Sequence, residues 1–269
     1  MASFRTCPDL RILRLTSRLE FARRRLFSTN FPRSYSIRTA RRFLDRDKIA
    51  ATERFALASG AAVGAFFNPN RADLVAILGE TTGQKSLEQL RNRMKMHATG
   101  KKILEAKPRI STSSINVQTL LQMKEDSLGY HYGHFLQEHG FNPDERPGVN
   151  YIEDTELAYI ITRYREIHDF GHIICGLPPT VPGEIALKWF EMAQTNLPMT
   201  ALSAFVGPLR LPSSERAQLR QFIFWACECG PDAELLLNVW FENHLEDSLC
   251  DIQKMIFGEY NFSRMPKLS

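Results

Sequence analysis

Hydrophobic residues recur along most of the chain at the three- and four-residue spacing of amphipathic helices, and few segments alternate between apolar and polar residues. Prolines and glycines interrupt this pattern where helices are expected to end. The pattern predicts helices over these ranges: 55–67, 73–78, 86–97, 117–128, 154–175, 184–194, 214–229 and 232–257. We therefore expect an all-α fold with little or no sheet, in which residues 43–269 form one helical domain.

The positive charge of the chain is concentrated at its beginning. Residues 1–42 contain eleven arginines, no lysine and two acidic residues, a net charge of +9, which leaves −5 for the rest of a chain whose total is +4. An arginine- and serine-rich segment with scattered leucines and phenylalanines is typical of a mitochondrial transit peptide. A nucleic-acid-binding arm and an anionic-lipid anchor are the alternatives. The remaining residues give no support for a nucleic-acid partner.

Several classes of protein are excluded by what the sequence lacks. It contains neither a glycine-rich phosphate loop nor a G-x-S-x-G nucleophile elbow. Its five cysteines are too sparse for a disulfide-stapled secreted domain, which favours a reducing compartment. The longest apolar stretch, residues 55–67, is shorter than the roughly 20 residues that a membrane-spanning helix needs.

The predicted helix 154–175 carries residues that suit a metal ion. His168 and His172 are four positions apart, so a helix places both imidazoles on one face, as in the zinc helix of metalloproteases. This face continues an apolar stripe that begins at Leu157, so we expect both histidines to be buried. Asp169 lies about 100° around the helix from His168 and reaches the same ion only from the side, directly or through a ligand.

A turn rich in proline and glycine follows this helix and brings Glu184 into the first turn of the next one. With His168, Asp169 and His172, Glu184 completes a set of two neutral nitrogens and two carboxylates, which balances a divalent cation. Zinc is the first choice, with iron and manganese as alternatives. The competing interpretation is a pair of hydrogen-bonded core histidines and an ordinary i,i+4 pair of Glu184 with Lys188. A metalloprotease-like hydrolase is disfavoured, because Asp169 replaces the general-base glutamate.

The arrangement His-Asp-x-x-His, then eleven residues and a glutamate, resembles the signature of the mitochondrial ubiquinone (coenzyme Q) biosynthesis protein 4 family. The similarity extends over about 68–257, most of the chain. It includes these segments: Leu78-Gly-Glu-Thr-Thr-Gly83, Arg109-Ile-Ser-Thr112, Glu156-Leu-Ala-Tyr159, Arg163-Tyr-Arg-Glu166, Gly183-Glu-Ile185, Lys188-Trp-Phe-Glu191 and Gly207-Pro-Leu-Arg210.

The resemblance implies a peripheral protein on the matrix face of the mitochondrial inner membrane. It implies a metal-dependent carboxy-lyase that removes the C1 carboxyl of 4-hydroxy-3-methoxy-5-polyprenylbenzoate, with or without hydroxylation at that carbon. The catalytic and metal-binding residues would be His168, Asp169, His172 and Glu184. Partners would be this substrate, other ubiquinone-biosynthesis enzymes and the membrane surface, and a homo-oligomer stays open. The alternative is a non-catalytic lipid-binding scaffold of the biosynthetic complex.

An isoprenoid tail needs an apolar groove, which helical proteins offer between helices. Residues 55–67 and 202–211 are the candidate segments for contact with the tail or the membrane. Packing in the core is the favoured interpretation of both.

Overall fold

The computed structural model of the protein describes residues 51–67, 72–146 and 148–266. Within these ranges the chain forms eleven α-helices and no strand, with one isolated antiparallel bridge between Ser127 and Ser248. The predicted all-α fold is therefore confirmed. The predicted transit peptide, 1–42, and the first residues of the predicted domain lie outside the described residues.

The helices are, in chain order, α1 (Ala51–Phe67), α2 (Ala72–Thr82), α3 (Gln84–Met96), α4 (Ala98–Ala106), α5 (Val117–Leu120), α6 (Leu128–His139), α7 (Thr155–Ile174), α8 (Val181–Thr195), α9 (Pro198–Val206), α10 (Ser213–Cys229) and α11 (Leu249–Ser263). Short 3-10 turns occur at Pro143–Glu145, Gly207–Arg210, Leu236–Asn238 and Phe241–Asn243.

Two of the predicted helices are wrong over much of their length. The helix expected over 117–128 is limited to α5, which ends at Leu120. A separate helix, α6, begins at Leu128, where the Ser127 hydroxyl accepts the Tyr130 N–H and caps it. The segment 232–257 forms two 3-10 turns before α11 begins. The apolar residues of this segment are buried although its backbone is irregular. A short apolar run in the sequence does not distinguish such a buried loop from a buried helix. Helices α4, α6 and α9 were not predicted.

Helices α1 and α2 pack against each other as neighbours in the chain. Helix α1 contains the predicted segment 55–67, where Ala61 is buried and Phe55 is 75% exposed. Across the described residues, no helix combines the length and the apolar character needed to cross a bilayer.

Helix α7 lies at the centre of the fold, where it packs against α3, α6, α8 and α11. Its Phe170 ring stacks on Tyr132 of α6 at 4.2 Å and on Phe241 at 4.7 Å between ring centroids. Because α7 is surrounded on several sides, its buried residues include charged as well as apolar side chains. Such buried charges require partners, and the loops and helices around α7 supply them.

The connection between α7 and α8 is a tight reversal. Gly176 adopts a left-handed conformation with φ +61°, and the Leu177 N–H returns to the His172 carbonyl. Gly183 lies so close to the Pro178 carbonyl that a Cβ atom there would sit 1.9 Å from its oxygen. The Thr180 hydroxyl accepts the Gly183 N–H and caps α8. The first turn of α8 is thereby held beside the last turns of α7.

Candidate metal centre

Three side chains that the sequence predicts as ligands converge between α7 and α8. One ligand atom from each of His168, His172 and Glu184 lies within 4.8 Å of the other two. The Nε2 atom of His172 lies 3.1 Å from Glu184 Oε1, and the Nε2 atom of His168 lies 3.3 Å from Glu184 Oε2. The predicted return of Glu184 to the histidine pair is therefore what the structure shows.

The three side chains differ in their access to solvent. His172 is 1% exposed and His168 is 17% exposed, whereas Glu184 is 43% exposed. The group is consequently closed on the α7 side and open on the α8 side. A bound ion would have protein ligands on one side and room for water or substrate on the other, as catalytic metal sites require.

Both imidazoles use their Nδ1 atoms for other contacts. Nδ1 of His172 lies 3.2 Å from the Leu177 carbonyl oxygen, and Nδ1 of His168 lies 2.6 Å from Glu191 Oε1. A carbonyl and a carboxylate only accept hydrogen bonds, so each Nδ1 carries the proton. In the neutral imidazoles both Nε2 lone pairs therefore face the Glu184 carboxylate. Three acceptors in contact require a cation between them, either protons or a metal ion.

The titration of the group reflects the same preference for positive charge. Burial and the Lys188 ammonium lower the pKa of His168, but the Glu191 and Glu184 carboxylates outweigh them and raise this pKa to about 9. Burial raises the pKa of Glu184, but His168 and His172 outweigh burial and hold that pKa well below its usual range. Both shifts favour positive charge between these side chains, at the position where a metal ion would bind.

Glu191, which the sequence analysis did not select, is the buried partner of His168. Its carboxylate also accepts hydrogen bonds from the Tyr164 hydroxyl and from Lys188 Nζ, the latter at 2.7 Å. Burial raises the pKa of Glu191, but Lys188 and His168 outweigh burial and lower it to about 2. The structure therefore pairs Lys188 with Glu191, where the competing interpretation of the sequence paired it with Glu184. Glu191 could have been predicted as a site residue from its spacing, since it lies seven residues after Glu184 on the same face of α8.

Asp169, which follows His168 directly in the chain, is not among the three side chains that converge. Its buried carboxylate accepts a hydrogen bond from Arg146 Nη2, on the loop after α6. The sequence left open whether Asp169 contacts the ion directly or acts through a ligand. The contact with Arg146 favours the second of these two roles. On the same side of α7, the Phe135 ring stacks on the His172 ring with centroids 5.7 Å apart. Arg146 contacts Asp169 and Phe135 contacts His172, and neither residue was predicted from the sequence to belong to the site.

The chemistry of the three donors fits a divalent metal ion. Two imidazole nitrogens and one glutamate oxygen are a known ligand set for catalytic zinc, with the fourth position open. Imidazole also suits iron, and carboxylate suits manganese, so the donors leave the metal undetermined. The donor set, the one-sided exposure and the prearranged Nδ1 partners all agree with metal binding.

The sequence of the chain matches a known family model over residues 45–258. That model describes the coenzyme Q (ubiquinone) biosynthesis protein Coq4. The matched range includes α1 to α10 and most of α11.

Similar proteins occur in animals and fungi. The mitochondrial ubiquinone biosynthesis protein COQ4 homologue of Homo sapiens is 45% identical over 194 residues, which are 72% of this chain and 73% of the relative. The COQ4 homologue of Xenopus laevis is 42% identical over 77% of this chain and 73% of its own length. The mitochondrial COQ4 protein of Laccaria bicolor is 40% identical over 93% and 84% of the two chains.

A solved structure from Nostoc punctiforme, of a protein assigned provisionally to ubiquinone biosynthesis, has a similar fold. Its TM-score is 0.61 at 17% identity, and the match covers 75% of this chain and 97% of that one. The likeness concerns the fold alone.

Proposed function

Because the chain belongs to the coenzyme Q (ubiquinone) biosynthesis protein Coq4 family, we propose that it is a metal-dependent decarboxylase of mitochondrial ubiquinone biosynthesis. The proposed reaction removes the C1 carboxyl of 4-hydroxy-3-methoxy-5-polyprenylbenzoate, with or without oxidation at that carbon. The observation that carries this proposal is the convergence of three metal-ligand atoms within 4.8 Å at a site open on one side.

His168, His172 and Glu184 would hold the ion, with zinc as the first choice and iron or manganese as alternatives. A bound divalent cation supplies Lewis-acid stabilisation of a substrate carboxylate or of developing negative charge. Asp169 would act next to these ligands, through its contact with Arg146. The buried histidine side of the site keeps water away from the ligands and strengthens their electrostatic interactions.

Decarboxylation of an aromatic ring is difficult because it develops negative charge on the ring. Loss of carbon dioxide leaves an electron pair at C1 unless this carbon is protonated or oxidised first. The para oxygen is conjugated with C1 and accepts part of the electron density. A site that binds the carboxylate and fixes the ring orientation lowers the barrier by positioning.

Apolar side chains beside α8 are suited to the isoprenoid tail. Phe205 is 61% exposed and Leu209 is 73% exposed, and both follow α8 in the chain. The Phe205 ring contacts Trp189 at 4.8 Å between centroids, and Gly207 lies against Ile185, which follows Glu184 directly. This part of the candidate segment 202–211 therefore lies next to the helix that carries a ligand. We assign the tail or the membrane surface to Phe205 and Leu209.

We further propose that residues 1–42 direct the protein to mitochondria and that residues 43–269 form the functional domain. The relatives are named as mitochondrial proteins, which supports this location. The domain would lie on the matrix face of the inner membrane as a peripheral protein and contact other ubiquinone-biosynthesis enzymes. A homo-oligomer is compatible with this arrangement.

The competing function is a non-catalytic lipid-binding scaffold of the biosynthetic complex, in which the metal is structural. The exposed Phe205 and Leu209 side chains suit a partner or a lipid in this function as well as in the enzyme. The two functions differ in the consequence of removing a ligand, because only the enzyme needs the metal for turnover.

The Glu184→Gln variant separates the two functions. We expect wild-type protein to contain bound metal by elemental analysis and the variant to have at least about 100-fold weaker metal affinity, because even the groups that orient ligands contribute 10–100-fold. Decarboxylation of the prenylated benzoate, followed by product analysis, should be lost while fold and partner binding are retained. A variant that loses metal and keeps full turnover would contradict the enzyme.

Glu166→Gln provides the matched control. Glu166 is a buried carboxylate of α7 that accepts hydrogen bonds from Arg109 Nε and the Ile110 N–H. Glutamine keeps only one of the two accepting oxygens, but the donors that it serves are Arg109 and Ile110 rather than candidate ligands. Metal content and turnover of the folded variant should therefore stay within about twofold of wild type.

A further inference from the structure

The two histidines of the candidate metal centre are oriented by different kinds of acceptor. His172 Nδ1 donates to a neutral backbone carbonyl, whereas His168 Nδ1 donates to the buried carboxylate of Glu191. Ligating histidines generally donate their second ring proton to a carboxylate or carbonyl, which fixes the tautomer and the ring orientation. A carboxylate also makes the imidazole a stronger electron donor.

We propose that Glu191 is a positioning residue that fixes His168 with its Nε2 lone pair directed at the metal. The inference rests on the proposed metal centre. Glu191 and Glu184 lie on the same face of α8, two turns apart, so one helix supplies both a ligand and the acceptor that orients another ligand. The ring of His168 is thus held at both nitrogens by side chains of a single rigid element.

Glu191 is itself held in place by two further donors. The Tyr164 hydroxyl and Lys188 Nζ both donate to its Oε2 atom, which leaves Oε1 for His168. Tyr164 lies on α7 one turn before His168. Two residues of α7 therefore donate to the same carboxylate of α8. With three donors on two oxygens, the carboxylate has little freedom to rotate away from His168.

Lys188 has a second role in this network, since its ammonium balances the charge of Glu191. Its Nζ atom lies 3.4 Å from His168 Nδ1. Removal of Glu191 alone would leave this positive charge beside the site and repel a metal ion. A test of positioning must therefore separate the lost hydrogen bond from the uncompensated charge.

Three variants make this separation: Glu191→Gln, Glu191→Leu and the double variant Lys188→Met with Glu191→Leu. Glutamine keeps an acceptor for Nδ1 and loses the charge, and leucine loses both. The double variant loses the acceptor but leaves the net charge unchanged. Glu166→Gln serves as the control for loss of a different buried carboxylate.

The measurement is the affinity of the full chain for cobalt(II), followed by visible absorption, with urea unfolding of the metal-free proteins alongside. We expect about 10- to 100-fold weaker affinity for Glu191→Leu, a smaller loss for Glu191→Gln, and an unchanged affinity for Glu166→Gln. The double variant should stay at least about tenfold weaker than wild type.

A second readout follows the hydrogen bond itself. In zinc-loaded protein labelled with ¹⁵N-histidine, the His168 Nδ1 proton should exchange slowly with water in wild type and Glu191→Gln, and rapidly in both leucine variants. A purely structural contribution of Glu191 would lower stability without this selective change.

The outcomes distinguish the two proposals. Double-variant affinity within twofold of wild type would show that charge alone is responsible, and would overturn the positioning role. Unchanged affinity in Glu191→Leu would overturn it as well. Absence of cobalt(II) and zinc binding in wild-type protein would overturn the metal centre itself and this inference with it.

Discussion

Two regions of α7, residues 163–166 and the histidine pair His168 and His172, use polar side chains in different ways. In the first region, Arg163 donates two hydrogen bonds to Glu242, Arg165 pairs with Glu80, and Glu166 pairs with Arg109. Each of these charges has an oppositely charged partner on another element. In the second region, the Nε2 atoms of His168 and His172 face the Glu184 carboxylate, and a proton or a metal ion must lie between these acceptors.

The difference indicates which buried charges hold the fold together and which form a site. A charge paired within the protein fixes a neighbouring loop or helix and needs nothing from outside. Acceptors that face one another with no cationic side chain between them favour binding of a metal ion. The backbone must hold such acceptors close together. The reversal at Gly176 and Gly183 provides this enforcement.

The largest expected effect is on the paired region. Arg163 is completely buried, so Arg163→Met leaves the Glu242 carboxylate without its partner and should cost about 3–5 kcal/mol of unfolding free energy. Urea unfolding of the metal-free protein measures this loss. Cobalt(II) affinity of the folded variant should remain within about twofold of wild type.

The double variant Arg163→Met with Glu242→Leu should recover most of that stability, because it removes both charges. If Arg163→Met alone lost metal affinity and kept its stability, the division of α7 into two regions would be contradicted.

A bound metal ion should stabilise the fold through the histidine region of α7. Zinc at 100 times its dissociation constant should stabilise wild-type protein by about 2.7 kcal/mol, since the ion binds the folded state. For a domain of this size the melting temperature should rise by about 5–10 °C in differential scanning fluorimetry. The Glu184→Gln variant should show almost no shift at the same zinc concentration, whereas Glu166→Gln should shift like wild type.

The smallest effect concerns the beginning of α7. Asp154 accepts the Glu156 and Leu157 N–H groups, and its replacement by alanine should cost about 1 kcal/mol of unfolding free energy without changing metal affinity. Asp154→Asn keeps an accepting oxygen and should lose much less. An equal loss in both variants would exclude capping as the cause.

The effect of Asp154 should also depend on pH. Chiefly the Leu157 N–H, with the Glu156 N–H and Arg91, lowers the pKa of Asp154. A lowered pKa in the folded state contributes stability above the pKa of the unfolded chain, and this contribution is lost as pH falls through the folded value. The stability difference between wild type and Asp154→Ala should therefore narrow on acidification, as measured by urea unfolding at a series of pH values.

The helical class and most of the candidate ligand set could be predicted from local spacing along the chain. Helical periodicity located α2, α3, α7, α8 and α10, because apolar residues recur there at helical spacing and breakers stand near the ends. The i,i+4 spacing of His168 and His172 fixes both on one face of a helix whatever surrounds it. The Pro- and Gly-rich segment before Glu184 predicted the reversal that brings this residue back.

The pairing of polar groups, in contrast, depends on how the helices and loops pack in three dimensions. Local spacing could not assign Asp169 to Arg146, because these two residues lie on separate elements. It could not assign Lys188 to Glu191 either, because Glu191 at three residues and Glu184 at four are both within reach on a helix. The irregular segment before α11 escaped prediction for a related reason, since its apolar residues are ordered by burial rather than by a helical repeat. Local spacing determines which side chains share a face, whereas packing of one face against another determines their partners.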